Sequence, residues 1–498
     1  MRALASVVLA AVLAARGGAE DSAPLALARQ MWLTVPVIDL DGQMVQRLDG
    51  MAGGSAAPQA EIGALPVSWR LRLVAALWQV LLHLALPVML LLLWQRGRRE
   101  PAYRQRLGER FGGGAVGAKG GVWIFAASLG ETRAVSPLVR RFLEQGVPVL
   151  LTHSTPAGLQ EGLRLFPEVS VVHRYVPLDL SWALARMLRR AQPKLGLVVE
   201  SELWPGQLLV ARRLGIPMAQ VNGNLLERTI ARDSKRLGGV RLELLRLFSL
   251  VLTKSETYRD RYLRAGVEDA RIRLVGELKF DQWVDPAQPA LGQRLRTAWG
   301  AAPVLLIASS IEAEEPLLLP VLAALLAHPS APRIIWAPRS PQRFDAVSEQ
   351  LDKAGIAHAR RSDLTLEDAP TPHLLLADSL GEMNIWYAMA DLVFVGASLV
   401  AQGGHNIIEP LAQGKPVVMG ESIFGITYPA LDAIEAGALE IFPSAQAMAT
   451  RLQALLGDPA ALAGFTACAA GFNATHLGAS ARSYTALQAL TAPRGTAR

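Results

Sequence analysis

From residue 121 onward, short β-branched runs alternate with longer stretches of helical spacing, the pattern of a parallel sheet covered by helices. The runs 122–126, 147–152, 169–172, 195–199, 217–221, 250–253 and 272–275 are apolar at successive positions and predict strands buried on both faces. A second series follows at 304–308, 333–337, 373–376, 392–395 and 416–419. Between strands, Ser136 is placed to cap a helix over 137–145 with Gly146 beyond it, and Thr155-Pro156 opens another. Residues 281–302, polar and dotted with Pro and Gly, predict a linker. The expected fold is α/β: two doubly wound, Rossmann-like domains at 121–285 and 303–490, facing a central cleft.

One run has neither period. Residues 73–94 are apolar except for Gln79 and His83, and as a helix would extend about 33 Å, one bilayer core. Arg70 and Arg72 precede it; a basic juxtamembrane segment, 95–120, follows with Arg96, Arg98, Arg99, Arg104, Arg106 and Arg110. The reading is a membrane anchor with the following domains on the cytoplasmic side, single-pass or peripheral. A buried core helix is the alternative. Residues 1–66 form an unassigned extension, in which Arg2 and the apolar run 3–15 resemble a targeting signal.

Composition narrows the function. Hydrophobic residues make up 51% and charged residues 19% of the 498, so large cores are possible. Fifty Lys and Arg against 43 Asp and Glu give +7, which suits an anionic membrane or a phosphorylated substrate and is too diffuse for nucleic acid. Cys468 is the only cysteine, so there is no disulfide framework, and eight scattered histidines form no metal-binding pair. Asp39-Leu40-Asp41 has the form of a metal-binding DxD but falls in the unassigned extension, where chance explains it. No GxxxxGK[ST] or GxGxxG loop is present.

Ligands of doubly wound sheets bind beyond the carboxyl ends of the strands, and there the unusual residues fall. Gly130, Glu131 and Arg133 follow the first strand, Thr155 the second, and Glu200 and Glu202 the fourth. Each glutamate is a possible general base; each alone is as well explained as a helix cap or a solvated loop charge. In the second half, Ser398, Gly403, Gly404, His405, Asn406 and Glu409 follow an apolar run, and the glycine pair implies close backbone approach to an anion at a helix start. Asn406 and Glu409 also have capping-box spacing. Arg339 and Arg343 flank a rigid turn with two guanidinium forks suited to phosphate. Lys279, at the domain junction, reads alone as a surface lysine.

Together these segments resemble the Kdo (3-deoxy-D-manno-octulosonic acid) transferases of Gram-negative bacteria. The likeness runs from about residue 75 to 485, through Pro101-Ala102-Tyr103-Arg104, Gly130-Glu131, Thr155-Pro156, residues 200–205, Leu278-Lys279-Phe280-Asp281, Pro338-Arg339, residues 378–382 and the 403–410 loop. The resemblance implies a metal-independent, inverting GT-B glycosyltransferase of the inner membrane that needs no cofactor. Its donor would be CMP-Kdo and its acceptor a lipid A precursor, lipid IV(A). It implies Glu131 as general base, and Arg339, Ser398, Gly403, Gly404, His405, Asn406 and Glu409 as the donor set. Gly130, Arg133, Thr155, Glu200, Glu202 and Lys279 would line the acceptor cleft. Departures from the family pattern are Ser340 and Ile311 in place of histidines, and Glu277 in place of Asn, an acid expected near an anionic donor. A divergent paralogue using another nucleotide sugar, or a non-catalytic membrane-bound homologue, are the competing readings.

Overall fold

The computed structural model describes residues 66–235, 239–328, 331–365 and 372–491. The signal-like segment and Asp39-Leu40-Asp41 lie outside the described residues. The first sheet comprises β1 (Val122–Phe125), β2 (Val149–His153), β3 (Val171–Tyr175), β4 (Leu195–Val199), β5 (Met218–Gly223), β6 (Leu250–Thr253) and β7 (Ile272–Leu274). The second comprises β8 (Val304–Ser310), β9 (Arg333–Pro338), β10 (His358–Arg360), β11 (Leu374–Leu376), β12 (Leu392–Val395), β13 (Val417–Gly420) and β14 (Leu439–Phe442). Their orders are β3-β2-β1-β4-β5-β6-β7 and β10-β11-β9-β8-β12-β13-β14, every pairing parallel.

In each sheet the order reverses beside the first strand, so a crevice opens there at the carboxyl edge. Side chains of the central strands alternate between two cores. Trp123 and Phe125 pack with Leu184 and Met187 on one face, Val122 and Ile124 with Val135 and Leu138 on the other. The predicted strands agree to within a few residues. The sequence pattern missed β10, whose three residues are all only half buried, and β14, where burial is partial.

The helices that bear on the site are α1 (Trp69–Arg99), α2 (Leu129–Glu144), α3 (Pro205–Arg213), α4 (Ala287–Ala298), α5 (Met383–Met389), α6 (Ile408–Ala412) and α7 (Ala479–Thr491). Three differ from expectation. Helix α2 begins at Leu129, capped by Ser128, and runs straight through the predicted Ser136 cap and Pro137. Pro137 lacks the N–H that would reach the Arg133 carbonyl, but the Ser136 hydroxyl donates to that oxygen at 2.8 Å, which repairs the gap. The predicted linker contains α4, which lies so close against α5 that a Cβ on Gly292 would stand 2.5 Å from the Ile385 carbonyl oxygen. Helix α7 returns to the first domain, placing Ala479 and Leu487 in its core and Tyr484 edge-on to Phe142.

Helix α1 contains the predicted 73–94 segment and is long and apolar enough to cross a membrane. It is also docked lengthwise on the first domain. Leu71 packs into the main core, while Leu82 meets Leu180 and Ala183. Midway along it, the Trp78 indole donates to Asp179 at 2.9 Å, and Gln79 bonds both the Asp179 carbonyl and the Ser181 N–H at 2.8 Å.

Candidate functional site

Ser128 accepts from the Glu131 N–H at 3.3 Å, so Glu131 sits in the first turn of α2 and not in a loop. Its carboxylate turns back to accept the Ala127 N–H at 2.5 Å. Burial raises its pKa from 4.5 to about 8; the carboxylates of Glu202 and Glu200 push the same way, against the Ala127 hydrogen bond. Thr155 caps the neighbouring helix and bonds the Ala127 carbonyl, tying the two strand ends together. Gly130 is exposed in the turn, and Arg133 points away, paired with buried Glu161 at 2.7 Å.

Glu200 follows β4 in left-handed backbone (φ 56°), a strained setting for a residue with a side chain. Its carboxylate holds the Lys279 ammonium at 2.8 Å. Burial would lower the Lys279 pKa, but Glu200 and Glu277, with Glu131 further off, raise it, so the cation is secure. Lys279 is thus a half-buried, paired residue and not the surface lysine that its local sequence implies. Glu202 accepts from the Trp204 indole. The structure therefore gathers Glu131, Glu200, Glu202 and Lys279 into one electrostatic cluster at the carboxyl edge.

Glu277 departs from expectation too. It is 1% exposed and pairs with Lys254 at 3.3 Å, while capping the turn Leu278–Asp281 through the Lys279 N–H. Burial alone would raise its pKa, but Lys254 and Lys279 hold it below the ordinary carboxylate value. Its charge is neutralised inside the protein.

In the second domain the chain after β12 is fixed by a group missed at the sequence level. The Glu314 carboxylate is fully buried and accepts the N–H groups of Ala397 (2.6 Å), Ser398 (2.6 Å) and Leu399 (2.8 Å). Two consecutive acids opening an apolar helix were the available signal. Ser398 is 1% exposed, and its hydroxyl links the Val395 carbonyl to the Gly420 N–H.

The glycine pair is required by the protein's own backbone. Gly403 and Gly404 have φ of 90° and 77°, and a Cβ would meet Phe424 and Met419 at 2.8 Å. Their N–H groups, and that of His405, go to Ser422, Ala397 and Gly396. They are not aimed at an anion. Helix α6 starts at Ile408, one residue later than the capping-box spacing implies, and Asn406 accepts the Ile408 N–H at 3.0 Å. Glu409 takes the Asn406 side-chain amide (3.2 Å) and the Tyr387 hydroxyl (3.5 Å) instead of a backbone donor. Five residues make a weak helix dipole.

Arg339 is exposed beside Tyr387 and His405, and has no carboxylate partner among the described residues. Burial, then Arg339, lower the His405 pKa. Arg343 is spoken for: Glu315 and Glu312 hold its guanidinium, the latter at 2.9 Å. Of the two predicted phosphate forks, one remains. Arg339, Tyr387, His405, Asn406 and Glu409 form the second cluster, at the carboxyl edge of the second sheet.

Residues 105–282 match the family model of 3-deoxy-D-manno-octulosonic-acid transferases (kdotransferases). The chain is 38% identical to the 3-deoxy-D-manno-octulosonic acid transferase of Bordetella pertussis over 417 residues, covering 81% of this chain and 96% of that protein. It is 33% identical to the Haemophilus influenzae transferase of the same name over 387 residues, covering 76% and 89%. A solved Listeria monocytogenes structure, described as a UDP-N-acetylglucosamine 2-epimerase, superposes with a TM-score of 0.53 at 14% identity, over 74% of this chain and 96% of that one. That likeness is one of fold, the GT-B arrangement of two facing α/β domains.

Proposed function

The chain belongs to the 3-deoxy-D-manno-octulosonic acid transferase family, hence to the glycosyltransferases, and we propose that it moves Kdo from CMP-Kdo onto lipid IV(A), a phosphorylated, acylated lipid A precursor, in lipopolysaccharide synthesis. The observation that carries the chemistry is Glu131, a half-buried carboxyl group whose pKa is raised to about 8, in the same edge cluster as the Lys279 ammonium that Glu200 holds. A base poised near the working pH takes a hydroxyl proton most effectively.

The acceptor hydroxyl attacks the anomeric carbon of Kdo as the bond to the CMP phosphate oxygen breaks on the opposite face. The hydroxyl proton passes to Glu131, and CMP departs with the bonding electron pair. One displacement inverts the anomeric centre. Arg339 receives the charge that grows on the phosphate, with Asn406 and Glu409 holding the nucleotide beside it. Lys279, fixed by Glu200, faces the carboxylate of the sugar. The cations at both sheet edges do this work with no metal step.

Helix α1 lies in the plane of the inner membrane, on its cytoplasmic side. Its partners Asp179 and Ser181 belong to the folded domain, and a helix spanning the bilayer from residue 73 to 94 would carry them into hydrocarbon.

Incubating the purified chain with CMP-Kdo and lipid IV(A), followed by mass spectrometry, tests the reading. Kdo-bearing product is expected from the native chain. Glu131→Ala should lower transfer by roughly 10²–10⁴-fold while CMP still raises the melting temperature. No product from the native chain refutes the substrate assignment, and undiminished transfer by the variant removes Glu131 from the mechanism.

A further inference from the structure

Between α1 and α3 lies a groove of about 480 Å³ lined by the apolar Ala76, Leu209 and Val210 and by the cations Arg72, Arg212 and Arg213. None of these three guanidinium groups pairs with a carboxylate among the described residues. Three neighbouring cations over an apolar trough, each without a counter-ion, match an amphiphile with an anionic head and a hydrocarbon tail.

The groove opens beside the solvent-facing side of α1. Trp69, Leu73, Leu77, Val80, Leu84, Val88 and Leu91 are all exposed there, at intervals of three and four that keep them on one stripe. Beyond them Trp94 lies between the guanidinium groups of Arg98 and Arg104, at 5.1 and 4.7 Å, as at a headgroup boundary. The opposite stripe, with Leu71, Ala75 and Leu82, is buried against the domain.

We propose that the groove between α1 and α3 binds an anionic phospholipid, its phosphate held by Arg72, Arg212 and Arg213 and an acyl chain laid along Ala76, Leu209 and Val210. The inference rests on α1 lying in the membrane surface. A phospholipid is favoured over the acceptor by position. Arg212 and Arg213 end α3, about 12 Å along its axis from the Pro205 end, which follows Glu200 and Glu202. A phosphate held there sits away from the reacting edge.

Flotation of the full chain with phosphatidylcholine vesicles, with and without phosphatidylglycerol, reads the surface. Native mass spectrometry of the protein, extracted in mild detergent with phosphatidylglycerol, reads occupancy. The combined variant Arg72→Gln, Arg212→Gln, Arg213→Gln should lose about a hundredfold of the phosphatidylglycerol-dependent binding, at the usual worth of a basic side chain near an anionic surface, and the bound lipid with it. The charge-matched control Lys119→Gln, Arg228→Gln, Arg294→Gln, altered at exposed positions elsewhere, should keep both. Equal losses in both variants, or retained lipid in the groove variant, overturn the site. A raised KM for lipid IV(A) with flotation and lipid retention unchanged also overturns it, since the occupant is then the acceptor. Failure of the native chain to bind any vesicle refutes the membrane reading of α1 itself, whereas uniform binding to both vesicle types refutes only the groove.

Discussion

Raising the pH from 6 to 8 should increase kcat/KM about 50-fold, because Glu131 keeps its proton up to about 8. With that pKa roughly 1% of the molecules carry the basic form at pH 6, about 9% at pH 7 and half at pH 8. An ordinary glutamate would be ionised throughout and the profile flat. Initial rates at subsaturating CMP-Kdo and constant ionic strength, from pH 5.5 to 9.5, resolve the limb. Glu202→Gln removes one of the two carboxylates that push the value up and should move the limb to lower pH. The move should be smaller than the whole shift, since burial is the larger cause.

The same group fixes a stability trend of stated sign. Its folded pKa is near 8 and its ordinary value 4.5, so the folded chain binds the proton more tightly than the unfolded one. Stability attributable to Glu131 is therefore full below about pH 4.5, falls as the pH rises towards 8, and is constant above. Glu131→Gln, neutral at every pH, should gain in melting temperature over the native chain as the pH rises from 5 to 8 and hold that gain above. A flat rate profile between pH 6 and 8, or a melting difference that does not grow with pH, refutes the account of Glu131 as a desolvated base.

Two further outcomes bear on the second domain. Arg339→Ala should weaken CMP binding by about 10- to 100-fold in calorimetry, the worth of a charge-assisted bond to phosphate, while leaving the melting temperature of the free protein unchanged; intact affinity would place the phosphate elsewhere. Glu314→Gln turns an amide N–H towards backbone donors that now face carboxylate oxygen. It should cost about 2–3 kcal/mol by urea unfolding and raise the KM for CMP-Kdo but not for the acceptor, and unchanged stability would contradict the buried three-bond cradle.

Periodicity located the sheets because parallel strands buried on both faces are apolar without interruption, as in β4, β6 and β12, whose ends fall where the pattern puts them. It failed where a side chain substitutes for backbone. The Ser136 hydroxyl standing in for the Pro137 N–H hides the continuity of α2, and with it the helical setting of Glu131. Position beyond the strand ends located Glu131 and Glu200, and the resemblance brought in Lys279, but only the folded chain reveals that the three share one field, because residues 131, 200 and 279 meet through strand order and not through spacing. Gly403 and Gly404 were legible as special and misread as to cause. A positive φ needs glycine whether the neighbour is a ligand or, as here, Phe424 and Met419.

Glu277 shows how a departure from family pattern can be contained. An acid at this position, where relatives are expected to carry Asn, would repel an anionic donor if its charge reached the cleft. Lys254 cancels that charge within the buried seam, and the Lys254 ammonium lies 4.9 Å from the Tyr258 ring and 5.6 Å from the Tyr428 ring, which comes from the second domain. The turn that Glu277 caps, Leu278–Asp281, carries Lys279 on one side and Asp281 on the other. Asp281 grips the start of α7 through the Gly478 and Ser480 N–H groups, each at 2.7 Å. One four-residue turn therefore holds both the ammonium paired with Glu200 and the carboxylate that ties down the returning C-terminal helix. The buried, neutralised acid at 277 thus caps the turn from which both contacts are made.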